Sequence, residues 1–266
     1  MVKKIVLLWC LALSLATLPA LPRAAEVQPG LSVDAKIALN GYAALVEAYL
    51  QGVLTALETL ASTQEAGSAD WERIQEPLAQ LGKGITTAAA VWFARPDGAY
   101  FTVVGGLTDQ NLKDRAYFPR LMAGQAVAGD LVVSKATGKK SIIVAAPVKK
   151  AGKVIGALGV SVSTEKLGGW VDDRMKLPQE VVFYALDARG RTALHRETAL
   201  LFEFPSEMGS ESLHDAVRQM LAKPEGTVQY TFRGAQKTAI FERSQATGWI
   251  FALGFATPSG AEDAHP

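Results

Sequence analysis

Cysteine is almost missing from this chain of 266 residues: the single one, Cys10, lies in an N-terminal apolar run, and none follows. That excludes a disulfide framework and a cysteine-ligated metal, and it suits an oxidising compartment where nothing can mispair. An excess of either charge is missing too. Lys and Arg number 27 against 26 Asp and Glu, a formal net charge of +1, so there is no field to hold a nucleic acid or an anionic membrane. Histidine occurs three times, at 195, 214 and 265. These positions are far apart, no metal-ligand companion sits at helical spacing, and the expectation is loop or surface histidine with no metal and no cofactor.

Long apolar runs are scarce as well. Ile5 to Leu18 is the one such run, preceded by Lys3 and Lys4, and its length is that of a signal-peptide core rather than a membrane span. Residues 1–25 therefore read as a secretory signal, cut after Ala20, Ala24 or Ala25, which places the protein in the periplasm or outside the cell. An uncleaved N-terminal anchor is the alternative. Leu-Leu-Trp before Cys10 is not a lipoprotein context. No second apolar run follows, so the expectation is a chain outside the membrane with no kinase or signalling tail attached.

What is present is an ordinary globular composition, 49% hydrophobic and 20% charged, enough for one large or two small cores. Leu31 to Ser62 is the longest helical pattern, with Ser32 as cap, Asp34 in the first turn and a drifting apolar face through Val33, Ile37, Ala44, Ala48, Val53 and Leu57. Unbroken, it would exceed about 40 Å; a helical hairpin broken at Gly41 or Gly52 is the other reading. A second helix opens at Asp70 and runs to Leu81, with Pro77 expected to bend it. Ala88 to Phe93 and Ala99 to Val104 form a hairpin across Arg95-Pro96-Asp97-Gly98. Gly105 to Lys113 then reads as a connector or a lid.

The stretch from Asp114 to Ser163 organises the rest. Asp114 is a helix-start residue, Phe118, Leu121 and Met122 give an apolar stripe, and Gly124 ends it. Val127 to Val133, Ser141 to Val148 and Val154 to Val162 are β-branched runs separated by Thr137-Gly138-Lys139 and Ala151-Gly152-Lys153, which are hairpin compositions. With the earlier hairpin they make an antiparallel sheet of about five strands. The same grammar returns in Val181 to Leu186, Arg191 to His195, a helix from Glu211 to Leu221, and strands Thr227 to Phe232, Lys237 to Glu242 and Trp249 to Phe255.

DRAYF, a strand, SKATGK, a strand ending in AAPV, and GKVIGALGVSVS occur in that order. Together they resemble the first module of the double Cache family, the extracytoplasmic sensor domains of bacterial chemoreceptors and sensor kinases. FYALDARGRTALH, YTFRGAQKTAIFE and TGWIFALGF resemble its second module. The resemblance implies an α+β fold in which a long N-terminal spine helix packs on two PAS-like modules, each an antiparallel sheet with flanking helices. It divides the chain into 26–84 (spine and second helix), 85–170 (the ligand-binding, membrane-distal type of module), 171–257 (the membrane-proximal type) and a disordered tail, 258–266.

The same resemblance points to a site. Arg115 can hold a carboxylate with two parallel hydrogen bonds, and Tyr117 supplies a ring wall and a hydroxyl. Family members that sense amino acids or amines carry an aromatic on the next strand and an aspartate on the last. Here those places are Val132 and Ser161, so nothing neutralises an ammonium group and an anion without an amine is favoured. Ser134 and Lys135 are candidate helpers, and Tyr100 can reach the pocket from the second strand. The structural alternatives are an Arg115 ion pair with Asp114 or Asp109, Tyr117 as core, and Lys135 as part of a solvated turn.

Catalytic motifs are absent. Gly138-Lys139-Lys140-Ser141 lacks the earlier glycine of a phosphate loop. Gly159-Val160-Ser161-Val162-Ser163 lacks the last glycine of a nucleophile elbow. Gly152, Gly156 and Gly159 are misplaced for a dinucleotide fingerprint and read as a turn plus close strand packing. The expectation is a non-enzymatic sensor that captures a small carboxylate or other anion and signals to a membrane receptor, sensor kinase or transporter, with the spine helix as a homodimer surface. The alternative is a non-catalytic interaction or structural module that has lost its ligand. The second module, lacking an arginine–aromatic pair, is expected to be empty or mechanical.

Overall fold

The computed structural model describes residues 34–256; the expected signal segment, the Ser32 cap and the C-terminal tail lie outside them. The first element, α1 (Ala35–Ala61), is one unbroken helix of 27 residues capped by Asp34, whose carboxylate accepts from the Lys36 amide at 2.7 Å. Gly41 and Gly52 do not interrupt it, because Leu39, Tyr42, Val46, Leu50, Val53 and Leu57 form a continuous buried row at helical spacing and tertiary burial outweighs a glycine's helix penalty of about 1 kcal/mol. A single turn, α2 (Gln64–Gly67), leads to α3 (Trp71–Lys83), capped by the Asp70 carboxylate on the Glu72 amide and containing Pro77. Among the described residues, no helix is long and apolar enough to cross a membrane.

The first sheet has six strands: β1 (Ala88–Ala94), β2 (Ala99–Thr102), β3 (Gly106–Asn111), β4 (Val127–Val133), β5 (Lys140–Lys150) and β6 (Lys153–Ser163), in the order β3-β2-β1-β6-β5-β4. All neighbours are antiparallel. The sixth strand is β3, drawn from the segment expected to be a connector or lid. It pairs with β2 and is stitched down by the Leu112 amide on the Gly98 carbonyl at 2.8 Å and the Asn111 side chain on the Asp97 carbonyl at 3.1 Å. A segment held along its length is an edge strand, not a free flap.

Two helices flank the sheet in sequence, α4 (Phe118–Met122) before β4 and α5 (Thr164–Met175) after β6. The second sheet comprises β7 (Val181–Leu186), β8 (Thr192–His195), β9 (Glu225–Phe232), β10 (Ala235–Arg243) and β11 (Ile250–Ala256), in the order β8-β7-β11-β10-β9, with α6 (Glu211–Ala222) between β8 and β9. Without β3, the first sheet reads β2-β1-β6-β5-β4, the same path through space. The two modules are therefore repeats of one topology.

The spine binds both. Near its start Tyr42 meets Phe183 and Phe251 of the second sheet at ring-centroid distances of 5.3 and 5.0 Å, and Lys36 pairs with Glu225 at 2.6 Å. Further along, Leu50 to Leu57 join Val144, Leu158 and Val160 of the first sheet in one core. Alternation then assigns the other faces. Phe93 and Phe101 turn toward the spine, whereas Trp92, Tyr100, Ile143 and Ala157 turn away into a separate cluster closed by Tyr117, Phe118 and Leu121. That outer face carries the site.

Candidate functional site

The floor is built from side chains at alternating positions on four strands: Trp92, Tyr100, Ile143 and Ser161. Trp92 lies across from Gly159, where a Cβ would overlap the indole ring. The missing side chain lets the ring lie over the strand and donate from Nε1 to the buried Ser161 hydroxyl at 3.3 Å. Gly156 serves Phe93 on the opposite face in the same way, a Cβ there falling 2.6 Å from the ring. Gly152 has φ +76° in the β5–β6 turn. The three glycines are thus a turn and two close approaches, as their spacing implied.

Residues 112–117 form the roof. Tyr117 is buried and its ring stands 6.5 Å from that of Trp92. Burial pushes the Tyr117 phenol well above its ordinary pKa, and raises that of Tyr100 as well, so both rings act as neutral hydroxyl-bearing walls.

The helix start differs from expectation. α4 begins at Phe118, not Asp114, with Tyr117 as the cap residue and proline in the first turn, where the missing N–H costs nothing. Asp114 is unavailable as a cap because Lys135, 21 residues on, takes its carboxylate at 2.7 and 2.9 Å. That hydrogen bond holds the Asp114 carboxyl below its usual range. Lys135 also donates to the Asn111 carbonyl at 2.6 Å; it is a tie between β4's end and the roof rather than a solvated turn residue.

Arg115 is therefore not paired with Asp114. Its guanidinium donates from one terminal nitrogen to the Val133 carbonyl at 2.7 Å, leaving further donors for a ligand. Ser134 closes the next turn, with its hydroxyl accepting from the Thr137 amide at 3.2 Å and its carbonyl from the Gly138 amide at 2.8 Å. The same Ser-x-Ala-Thr-Gly wording recurs at Ser244 to Gly248, with the Thr247 amide on the Ser244 hydroxyl at 2.9 Å.

Arg115, Tyr117, Tyr100, Val132, Ser134, Lys135 and Ser161, all seven residues singled out above, line one cavity of about 20 Å³. Trp92, Thr102, Leu112 and Ile143 complete much of its wall. For Trp92, opposition to a glycine on the neighbouring strand was the usable signal. No lining residue is acidic, so an ammonium group finds no counter-charge, while a carboxylate finds Arg115. At that volume the space admits a water-sized group and no more, well below ordinary ligand pockets.

The edge strand β4 links this site to the second module. Its carbonyls at alternate residues accept three side chains in turn: Gly129 from the Trp249 indole at 3.1 Å, Leu131 from Arg191 at 3.0 Å and Val133 from Arg115 at 2.7 Å. Gly129 is a bulge residue with φ +114°, left out of the β4–β5 register, which is why its carbonyl is available.

The second module also holds a cavity, of about 50 Å³. His195 lines that cavity from β8 instead of lying in a surface loop, and burial pushes its pKa down to about 4. His214 is exposed on α6, and His265 lies outside the described residues. Among the described residues no group of three His, Cys, Asp or Glu is placed to hold a metal ion.

A family model described as Cache domain matches residues 27–257. The chain belongs to the Cache-domain family. Solved structures similar to this Cache domain include the ligand-binding domain of the Pseudomonas aeruginosa PAO1 amino acid chemoreceptor PctB in complex with L-Arg, at 15% identity and TM-score 0.69, covering 87% of this chain and 97% of that one. The ligand-binding domain of the Pseudomonas fluorescens chemoreceptor CtaA with L-isoleucine matches at 16% identity and TM-score 0.63, covering 84% and 94%. An extracellular ligand binding receptor from Desulfohalobium retbaense matches at 16% and TM-score 0.66, covering 83% of this chain but only 40% of the receptor. No curated protein matches the sequence. At these identities the neighbours establish the Cache fold and nothing about this domain's ligand.

Proposed function

We propose that this Cache domain is an exported sensor module whose first sheet captures a small anion, a carboxylate without an amine before an amino acid, and that it signals to a separate membrane receptor, sensor kinase or transporter. The observation that carries the reading is Arg115: its guanidinium lines the cavity, is oriented by the Val133 carbonyl at 2.7 Å, and meets no acidic residue in the lining. A carboxylate can take the free edge of the guanidinium in a bidentate pair, with the Ser161 and Tyr117 hydroxyls as neutral partners. The absence of any lining carboxylate disfavours the amine half of an amino acid. The proposed division follows the sheets, 85–170 binding ligand and 171–257 forming the second module. Ligand entry moves residues 112–117, and the shift reaches α1 through β5.

The test is a thermal-shift screen of the purified chain against small carboxylates, amino acids, amines and purines, with Arg115→Ala alongside. At about 100 times the dissociation constant, a ligand adds roughly 2.7 kcal/mol of stability. A carboxylate that stabilises the wild type and not Arg115→Ala supports the reading. If an amino acid or amine is preferred, the charge argument fails. If nothing shifts the wild type, the domain is a ligand-free interaction module.

A further inference from the structure

The roof over the first cavity is fastened at both ends and tied to the end of β4 in between. Leu112 is held by the Gly98 carbonyl at 2.8 Å, and Tyr117 and Phe118 are buried. Between them Arg115 donates to the Val133 carbonyl, while Lys135 donates to the Asn111 carbonyl at 2.6 Å and to both Asp114 carboxylate oxygens at 2.7 and 2.9 Å. Arg115 and Lys135 both line the cavity and Asp114 does not. The Lys135 side chain is 22% exposed, that of Asp114 69%. A cation in the wall of the site thus already holds a carboxylate, and that carboxylate is the chain's own and stands in solvent.

The closed cavity of about 20 Å³ admits only a water-sized group, so a ligand enters only as residues 112–117 lift. Lifting them takes Asp114 away and leaves Lys135 with the Asn111 carbonyl alone. A ligand with one carboxylate pairs with Arg115 and leaves this partly buried lysine without an anion; a ligand with two restores the pair. The second carboxylate needs no new space, because it takes the position that Asp114 vacates. Asp114 yields that position easily, since an exposed ion pair contributes little and the released carboxylate is hydrated. We infer that the Arg115 site takes a short dicarboxylate, one carboxylate on Arg115 and the other on Lys135, where Asp114 stands in for it in the closed state. This rests on the carboxylate reading of Arg115 and narrows it to dianions. Lys135 keeps an anionic partner in both states, Asp114 when the roof is closed and the ligand when it has lifted.

The experiment titrates the purified chain with succinate and with butyrate, which has the same carbon chain and one carboxylate fewer, by calorimetry at neutral pH and low salt. Lys135→Met keeps the stem and removes the charge. Asp114→Asn removes the internal competitor at an exposed position, and it decides alone should Lys135→Met not fold by far-UV circular dichroism. Succinate is expected to bind the wild type roughly tenfold more tightly than butyrate does. Lys135→Met is expected to erase that preference, and Asp114→Asn to bind succinate severalfold more tightly than the wild type. Equal affinity of the wild type for the two acids overturns the dicarboxylate inference and leaves the Arg115 reading standing. A preference for succinate that survives in Lys135→Met overturns it too, as does an Asp114→Asn variant that binds succinate no more tightly than the wild type. If neither acid binds at about 10 mM, the carboxylate reading of Arg115 falls, and this inference with it.

Discussion

Replacing Trp249 by Phe tests the joint between the modules. Trp249 is 2% exposed and reaches across to the first sheet, where its indole N–H donates to the Gly129 carbonyl at 3.1 Å. Gly129 occupies a bulge, so that carbonyl has no place in the β4–β5 ladder, and the indole is what satisfies it. Phenylalanine fills most of the volume but leaves the carbonyl buried and unpaired, a cost of about 1–3 kcal/mol. Losing the pyrrole ring's contacts adds on the order of 1 kcal/mol. The sum, roughly 2–4 kcal/mol, corresponds to a fall in Tm of about 5–15 °C for a domain of this size. Urea unfolding followed by far-UV circular dichroism reads it directly, and an unchanged m-value shows that the same surface is exposed on unfolding. A loss below about 0.5 kcal/mol would refute the argument, since it would mean the Gly129 carbonyl finds another partner at no cost.

Two further perturbations probe the site and the second cavity. Gly159→Ala puts a methyl group into the Trp92 ring, so it should cost about 1–3 kcal/mol by overpacking and abolish the thermal shift given by a carboxylate; an unaltered ligand response shows that Trp92 is not the floor. Lowering pH should destabilise the chain through His195, whose folded pKa of about 4 lies below the unfolded 6.5. The unfolded state binds the proton first, so His195's contribution is complete above about pH 6.5 and is lost as pH falls to about 4. Desolvation is the leading cause, with Glu197 and Arg233 opposing each other, so His195→Phe should flatten the stability profile in that window; an equally steep profile in the variant assigns the slope to other groups.

The hairpins and the long helices were legible because their causes are local. Arg95-Pro96-Asp97-Gly98 and Ala151-Gly152-Lys153 turn the chain by their own chemistry, and α1 is written at helical period, but Ile37, Ala44 and Ala48 of the expected face are exposed and the buried row runs through Leu39, Tyr42, Val46 and Leu50 before Val53 and Leu57. What escaped depends on partners distant in sequence. Gly-Leu-Thr-Asp-Gln-Asn carries no apolar alternation, and only β2 makes it a strand. Asp114 looks like a cap until Lys135 is folded against it. Arg115 and Tyr117 were legible as a motif, yet the acceptor that orients Arg115 is a backbone carbonyl, which no sequence pattern marks. The same holds for His195, whose neutrality comes from burial in a cavity formed by misfit between α6 and the second sheet.

Three carbonyls on β4 accept side chains from both modules. An edge strand offers its outward peptide groups at every second residue, about 6.6 Å apart, and exposed ones invite pairing with another chain. Here Trp249, Arg191 and Arg115 occupy successive acceptors at 129, 131 and 133. Two of those donors belong to the second module and the third lines the first module's cavity. Arg191 is itself braced by Asp187 at 3.2 Å and lies over the Phe202 ring at 4.8 Å, so the second module grips the strand through a rigid group. Arg115 has five N–H donors and spends one on Val133; it can hold a carboxylate without releasing the strand. Lysine at 115 offers a single charged centre with no planar fork and must choose between strand and ligand. Under the proposed carboxylate reading, an arginine there would serve the sheet edge and the pocket at once, and the position of β4 would follow the occupancy of the cavity beside it.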